Sequence, residues 1–318
     1  MLKVEEIPFG GLKVEEIPFG GWARNCLISN GEIEVVVTQE VGPRIIRLAF
    51  AGKPNLFLEM PGELGLTGGT EWHIFGGHRL WHAPEANPRS YNPDNEPVRF
   101  TRTEKGGIFT QEVEKLTGIE KEIEVEMEAD ENRLRIIHRL KNHNLWPVKL
   151  APWALSAMTQ RGMAIIPQEP YQSWSENLLP VRPLSLWGYT RMDDPRWRFG
   201  NRYVTLKQNP EISAPNKAGF GNRQGWGAYL FEEYLFVKIA PYRFGAPYPD
   251  MGCSFELYTD HRFLELESLG PLTLLEPQET VEHVEYWFLF KGVKAEDTDE
   301  SIDRNILPLV EESLKKIR

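Results

Sequence analysis

The chain has 318 residues, of which 41% are hydrophobic and 11% aromatic, so it can build two ordinary domains or one large domain. Its formal net charge of -10 argues against a nucleic acid or an anionic membrane as partner, since either would require a basic face. No apolar run is long enough to span a membrane, and the acidic start is unlike a signal peptide, so we expect a cytoplasmic protein. The two cysteines, Cys26 and Cys253, have neither metal-ligand nor redox spacing and are expected to be free.

A perfect tandem repeat occupies the start of the chain. Residues 2–11 read LKVEEIPFGG, and residues 12–21 repeat that segment letter for letter. Structural repeats diverge in sequence and need several copies to bury a core, so this doubling does not indicate a solenoid. We expect the second copy to lead into the fold and the first to be a redundant, partly mobile arm. Residues 1–21 are therefore set apart from a single domain over residues 22–318.

From Trp22 onward the sequence has the strand and turn pattern of an all-β protein. Short apolar or alternating runs at 33–37, 44–50 and 56–60 are separated by turns rich in glycine, proline and asparagine. Further runs follow at intervals near ten residues, which is typical of a sandwich or barrel. These later strands are predicted at 148–158, 163–167, 184–189, 203–208, 227–231, 235–239, 252–259, 263–269, 272–275 and 281–290.

The clearest hairpin spans residues 119–141. Glutamates alternate with apolar residues over 119–128, and arginines alternate with apolar residues on the return strand after 133. One face of this hairpin can therefore pair acidic with basic side chains across the two strands. His138 falls on the apolar face, where we expect a hydrogen-bonded core histidine.

Only the tail has helical periodicity. Apolar residues recur at helical intervals between 299 and 317, and Pro308 either interrupts this helix or starts a second short one.

The most unusual stretch is WHIFGGHRLWHAPE at residues 72–85, which holds three of the seven histidines. Segment 61–97 around it is too rich in glycine, proline and asparagine for regular structure, so we predict a long functional loop. The alternative is an ordered loop whose histidines cap neighbouring strands. A metal site at His78, His82 and Glu85 is a further alternative, but the glycine pair and Pro84 oppose the helix of zinc motifs.

Two other features bear on ligand chemistry. Arg79 lies near two other arginines in sequence, but no glycine-rich loop opens a helix there, so a phosphate site lacks its strongest signal. Segment 193–203 combines aromatic and basic residues, which suits either a carbohydrate or a loop packed on its own tryptophan.

A candidate acid/base residue lies on the strand at 252–259. Strand alternation places Ser254, Glu256 and Tyr258 on one face, where a carboxylate can accept a proton from a sugar hydroxyl. The alternative is a structural ion pair, for example with Arg262.

Five motifs, taken in order, resemble the galactose mutarotase-like superfamily, which contains the aldose 1-epimerases, over residues 22–290. They are GPRIIRL at 42–48, FGGHRLW at 75–81, KNHNLWPVKL at 141–150, CSFE at 253–256 and LEPQE at 275–279. The resemblance implies an all-β fold, a β-supersandwich, with the ligand in a cleft; the predicted short C-terminal helix follows it. It also implies a reaction in which a glutamate base and a histidine acid open a sugar ring that recloses as the other anomer.

The resemblance assigns the base to Glu256, but the family's histidine motif "N-H-x-Y-F" corresponds to APWAL at 151–155. Trp153 cannot act as an acid there, although its indole can stack on a sugar. We therefore expect His78 or His82 to be the acid. Tyr248-Pro249-Asp250 resembles a turn before the glutamate strand of relatives. The predicted substrate-binding residues are Arg79, Trp81, Trp153, Lys238, Asp250 and Tyr258.

The leading hypothesis is thus an aldose 1-epimerase-like isomerase that acts on a sugar or sugar derivative, with no cofactor and no metal. The second is a non-catalytic carbohydrate-binding protein of the same fold, which the tryptophan at position 153 favours. A third is a sugar lyase or hydrolase, for which the chain lacks the usual accessory domain. The sequence leaves the oligomeric state open.

Overall fold

Two antiparallel sheets pack against each other in this computed structural model, which describes residues 11–317. The predicted arm formed by the first repeat copy lies outside the described residues, except for Gly11. The strands before the middle of the chain are β1 Lys13–Phe19, β2 Trp22–Ser29, β3 Ile33–Thr38, β4 Arg44–Phe50, β5 Gly77–Ala83, β6 Arg99–Thr103, β7 Gly106–Thr110, β8 Ile119–Met127, β9 Arg133–Asn142 and β10 Val148–Met158. The remaining strands are β11 Met163–Pro167, β12 Leu184–Leu186, β13 Trp197–Phe199, β14 Tyr203–Lys207, β15 Asn216–Phe220, β16 Trp226–Phe231, β17 Tyr234–Ile239, β18 Phe255–Thr259, β19 Leu264–Leu269, β20 Thr273–Leu275 and β21 Thr280–Lys291.

The larger sheet has the order β1-β2-β3-β4-β5-β10-β19-β18-β15-β12, and β20 adds to it by pairing with β10. The smaller sheet has the order β13-β14-β11-β16-β17-β21-β9-β8-β7-β6. Leucine, isoleucine, valine and phenylalanine side chains from both sheets fill the space between them. This architecture confirms the all-β sandwich that the sequence predicts.

The second repeat copy forms the edge strand of the larger sheet. Strand β1 pairs antiparallel with β2, with Lys13 opposite Ser29 and Phe19 opposite Trp22. Among residues 11–317, strand pairing begins within the second copy.

The predicted charged hairpin is present as β8 and β9. Arg139 forms ion pairs with Glu122 at 2.8 Å and with Glu124 at 2.8 Å, and Arg135 contacts Glu126 at 3.1 Å. The acidic and basic rows pair across the strands, as their alternation predicts.

The predicted irregular segment around the histidines is wrong in its central part, because residues 77–83 form β5 in the middle of the larger sheet. Every residue of β5 is buried, so the strand shows no simple polar and apolar alternation that would reveal it. The glycine pair before it has a steric role. A Cβ at Gly76 would collide with the carbonyl oxygen of Leu58, and one at Gly77 with that of Ile45.

The C-terminal helices begin and end as the periodicity predicts. Helix α1 spans Asp299–Asn305 and helix α2 spans Leu307–Lys316, with Pro308 in the first turn of α2. The side chain of Thr298 caps α1 by accepting a hydrogen bond from the backbone N–H of Ser301. Neither these helices nor the single 3-10 turn at Arg89–Tyr91 provides a helix, within residues 11–317, that is long and apolar enough to cross a membrane.

Candidate functional site

A cleft of about 250 Å³ lies on the face of the larger sheet that points away from the core. Five adjacent strands, β5, β10, β19, β18 and β15, contribute alternate side chains to it. The main strand residues that line the cleft are Arg79, Trp81, Trp153, Leu155, Glu265, Tyr258 and Lys217.

One wall of the cleft is aromatic. The ring of Trp81 makes edge-to-face contacts with Trp72 at 5.9 Å, Tyr91 at 5.2 Å and Trp153 at 5.4 Å between centroids. The guanidinium of Arg79 lies 4.4 Å from the centroid of Trp81 and 5.3 Å from that of Trp72. Held between two indoles, this cation has a fixed position in the cleft.

Lys217 lines the floor of the cleft, and two fully buried carboxylates lie beneath it. The ammonium of Lys217 contacts Glu256 at 2.7 Å and Glu267 at 3.0 Å, and the indole N–H of Trp153 donates to Glu267 at 2.7 Å. Glu256 and Glu267 are directly opposite each other on β18 and β19. Because one ammonium balances only one carboxylate, the second carries an electrostatic cost when both ionise.

Burial raises the pKa of Glu256 well above its ordinary value, although Lys217 acts in the opposite direction. Burial also acts to lower the pKa of Lys217, but the charges of Glu256 and Glu267 outweigh it and raise that pKa well above normal. The charged form of Lys217 and the protonated form of Glu256 are therefore favoured.

Glu265 is a buried carboxyl that reaches the ligand space. It lines the cleft and accepts a hydrogen bond from Arg79 at 3.1 Å. Burial raises its pKa to about 7, against the opposing charge of Arg79. This carboxyl can both take and return a proton near neutral pH.

Several polar atoms of the floor lack partners. Apart from the Lys217 ammonium, neither carboxylate oxygen of Glu256 has a hydrogen-bond partner among residues 11–317. One oxygen of Glu267 and the Nε of Arg79 are likewise buried without a partner in that range. A polar ligand or water would satisfy such groups.

The two predicted catalytic histidines do not reach this cleft. His78 and His82 are on β5 but point to the opposite face from Arg79 and Trp81. His82 Nε2 lies 3.6 Å from the carboxylate of Glu114, beneath the sheet. Since burial lowers the pKa of both histidines, the neutral form is favoured at each position.

Lys238 also faces the core and not the cleft. Its ammonium contacts Glu285 at 3.0 Å. We call the buried group between the two sheets the inter-sheet cluster; its members are His78, His138, Ser156, Lys238, Ser268, His283, Glu285 and Trp287. Burial and hydrogen bonding make His138 the core histidine that its strand position predicts.

The inter-sheet cluster contains a possible set of metal ligands, because His78, His138 and Glu285 place one ligand atom each within 4.8 Å of one another. Those atoms already have partners. The two imidazoles contact each other at 2.7 Å, and the carboxylate faces the ammonium of Lys238. A resident cation would have to displace that ammonium charge, so the donor set fits a hydrogen-bond network better than a metal.

The structure brings together Arg79, Trp81, Trp153 and Tyr258 in the cleft and places Glu256 beneath it, in contact with Lys217, while Asp250 lines an adjoining depression. Lys217, Glu265 and Glu267 also belong to this site, and none of them is among the residues predicted from the sequence motifs. A usable signal was present in LELES at 264–268, where two glutamates share one face of a strand with apolar residues on the other.

A larger depression of about 690 Å³ lies at the edge of the smaller sheet. Two of its cations are already paired, Arg196 with Asp194 at 2.7 Å and Lys207 with Asp297 at 3.1 Å. It therefore offers less unsatisfied charge than the cleft.

No protein-family model matches the sequence, and no curated protein is significantly similar to it. Solved structures are similar in fold. One is a galactose mutarotase-like protein from Lactobacillus casei, with a TM-score of 0.56, 10% identity and coverage of 84% of this chain and 100% of that one. Another is a galactose mutarotase related enzyme from Lactobacillus acidophilus, with a TM-score of 0.55, 8% identity and coverage of 86% and 98%.

A TPR-domain containing protein from Parabacteroides distasonis is similar as well, with a TM-score of 0.56 and 14% identity over 86% of this chain. The present chain spans about half the length of that protein, 48% of it. At these identities the similarity establishes the fold, so the chain has the galactose mutarotase-like fold that the five motifs indicate.

Proposed function

We propose that the chain binds a reducing sugar in the cleft and interconverts its two anomers. The observation that carries this proposal is an aromatic wall beside two buried carboxyls whose pKa burial raises, Glu265 in the cleft and Glu256 beneath it. The similar structures described as mutarotase-like give it independent support.

The cleft is suited to a sugar on both its wall and its floor. Trp81 and Trp153 present indole surface to the apolar face of a pyranose ring. Arg79 and Tyr258 provide hydrogen-bonding groups for hydroxyls, and Lys217 provides an ammonium in the floor.

In the proposed reaction one proton is removed from the anomeric hydroxyl of the sugar and another is added to its ring oxygen. Ionised Glu265 takes the proton of the anomeric hydroxyl, while the Lys217 ammonium gives a proton to the ring oxygen and the C1–O5 bond breaks. Glu256, 2.7 Å from Lys217, gives its own proton to the lysine in the same step, so Lys217 relays the proton and keeps its ammonium charge. After rotation about the C1–C2 bond, attack of the O5 hydroxyl on C1 returns both protons and regenerates the starting state.

In this scheme Glu256 is a proton source, whereas the family resemblance assigns it the role of base. The base role requires the ionised form, which burial of this carboxyl disfavours. No histidine is needed, because the proton that the family's histidine would supply comes from Glu256 through Lys217.

Exchange between anomers of glucose and galactose, followed by NMR, tests the proposal. We expect Glu265→Gln and Glu256→Gln each to lower the rate by about 100-fold or more, which is the usual contribution of general acid or base catalysis. Glu104→Gln, at an exposed turn between β6 and β7, is the matched control and should match the parent. Variants as active as the parent would contradict the assignment.

A second function, non-catalytic carbohydrate binding, is favoured by one observation: no histidine is among the described residues that line the cleft. The same NMR samples separate the two functions. A parent protein that binds sugar but leaves anomer exchange at the rate of buffer is a binding protein.

A further inference from the structure

A second depression adjoins the cleft at its outer end. It has a volume of about 480 Å³, and its lining residues are Glu85, Ala86, Asn87, Tyr91, Trp187 and Asp250. We call it the outer depression. Glu85 and Tyr91 line both cavities, so the two spaces are adjacent and share this pair as their boundary.

The two cavities are also joined through Lys217. Its ammonium lies 4.6 Å from the ring of Trp153, in the cleft, and 4.8 Å from the ring of Trp187, in the outer depression. The hydroxyl of Tyr91 donates to the carboxylate of Glu85 at the boundary, which fixes both side chains between the cavities. A ligand that extends out of the cleft therefore passes from one aromatic surface to another.

The chemistry of the outer depression is specific. Two aromatic rings accompany the carboxylates of Glu85 and Asp250 and the amide of Asn87, and the six lining residues include no lysine or arginine. Rings with hydrogen-bond acceptors beside them suit a hydroxylated pyranose. The two carboxylates oppose a phosphate or carboxylate group at the same position.

We propose that the outer depression is a subsite for a second, neutral sugar unit, so that the preferred ligand is a reducing disaccharide or a longer saccharide. This inference rests on the proposed function for the orientation of the ligand. Anomer exchange requires a free anomeric hydroxyl, so the reducing unit lies in the cleft. The next unit, joined through a non-anomeric oxygen of the first, lies against Trp187.

The test compares kcat/KM for anomer exchange of glucose, galactose and glucose 6-phosphate with that of lactose, maltose and cellobiose. We expect at least one disaccharide to exceed both monosaccharides by tenfold or more, and glucose 6-phosphate to fall below glucose. Ala86→Leu should remove the disaccharide advantage and leave glucose unchanged, because it fills the outer depression only. Ala51→Leu, at an exposed turn that lines neither cavity, is the matched control.

Trp187→Ala provides a second variant, which removes the platform instead of filling the space, and it should lower the ratio of disaccharide to glucose rates. The subsite proposal is overturned if the parent protein has the same kcat/KM for every disaccharide as for glucose, or a higher kcat/KM for glucose 6-phosphate than for glucose.

If no sugar is anomerised, binding of the same panel of sugars is measured by saturation-transfer NMR. Disaccharide binding that Ala86→Leu weakens then supports the subsite although the catalytic proposal fails, and absence of binding overturns both.

Discussion

Two buried charged clusters lie on opposite faces of the larger sheet, and they differ in how well their polar atoms are satisfied. In the inter-sheet cluster every buried side-chain nitrogen and oxygen has a partner within the described chain. In the cleft, Glu256, Glu267 and Arg79 retain buried atoms without hydrogen bonds. The satisfied cluster is therefore a structural element, and the unsatisfied one has capacity for a ligand.

The hydrogen bonds of the inter-sheet cluster form a self-consistent chain. His138 Nδ1 lies 2.9 Å from the carbonyl oxygen of His283, so it must donate, and His138 Nε2 accepts. His78 Nε2 then donates to it, and His78 Nδ1 accepts from Ser156 at 2.8 Å. Both imidazoles are neutral in this assignment, which agrees with the lowered pKa that burial gives each of them.

The largest expected effect comes from removing one lysine from each cluster. Lys238→Met leaves Glu285 buried without its cation and should lower the free energy of unfolding by about 3–5 kcal/mol. Lys217→Met should cost less, because the protonated form of Glu256 is favoured, Glu267 keeps the hydrogen bond from Trp153, and the cleft above them is open to solvent. Urea unfolding measures both, with Lys291→Met as control, since that exposed pair with Glu32 is worth about 1 kcal/mol or less. Equal losses at 238 and 217 would remove the distinction between the clusters.

The pH dependence of anomer exchange tests whether Glu265, a carboxyl of the cleft, acts as the base. Glu265 must be ionised to act as base, so activity is present above its pKa of about 7 and is lost as the pH falls below it. We expect kcat/KM to fall by about tenfold per pH unit on the acid side. A profile that is flat from about pH 5 to pH 8 would exclude Glu265 as the base. Unfolding measured over the same range separates loss of activity from loss of structure.

The smallest expected effect concerns the repeat. Because its copies are identical, deleting residues 2–11 gives the same chain as deleting residues 12–21, and one copy remains to form β1. The melting temperature should stay within about 2 °C of the parent value, as for a change of a few tenths of a kcal/mol. Deleting residues 2–21 removes β1 altogether and should lower it clearly. A sharp drop in the single deletion would show that the first copy contributes to the fold.

The sequence predicts the architecture well where alternation is unambiguous. The hairpin of β8 and β9 and the break at Pro308 follow directly from side-chain periodicity. Side-chain periodicity does not reveal strands β5 and β15, because both faces of each strand are buried and both strands carry buried polar residues.

The site is less predictable, because it depends on which face of each strand points outward. His78 and Arg79 are neighbours in sequence, yet one belongs to the inter-sheet cluster and the other to the cleft. Residue type favours the histidine as an acid, and only the placement of β5 in the sheet shows that it points inward. Glu256 is found by alternation, but its partner Lys217 lies 39 positions earlier on a strand that periodicity does not reveal.

The ammonium of Lys217 between Trp153 and Trp187 has a practical consequence. The two indoles that border the cleft and the outer depression are both close to a positive charge, and a ligand on either ring replaces water there. The intrinsic fluorescence of the protein should therefore report occupancy directly. Because each ring borders a different cavity, Trp153→Phe and Trp187→Phe would assign the optical signal to one cavity or the other without any attached label.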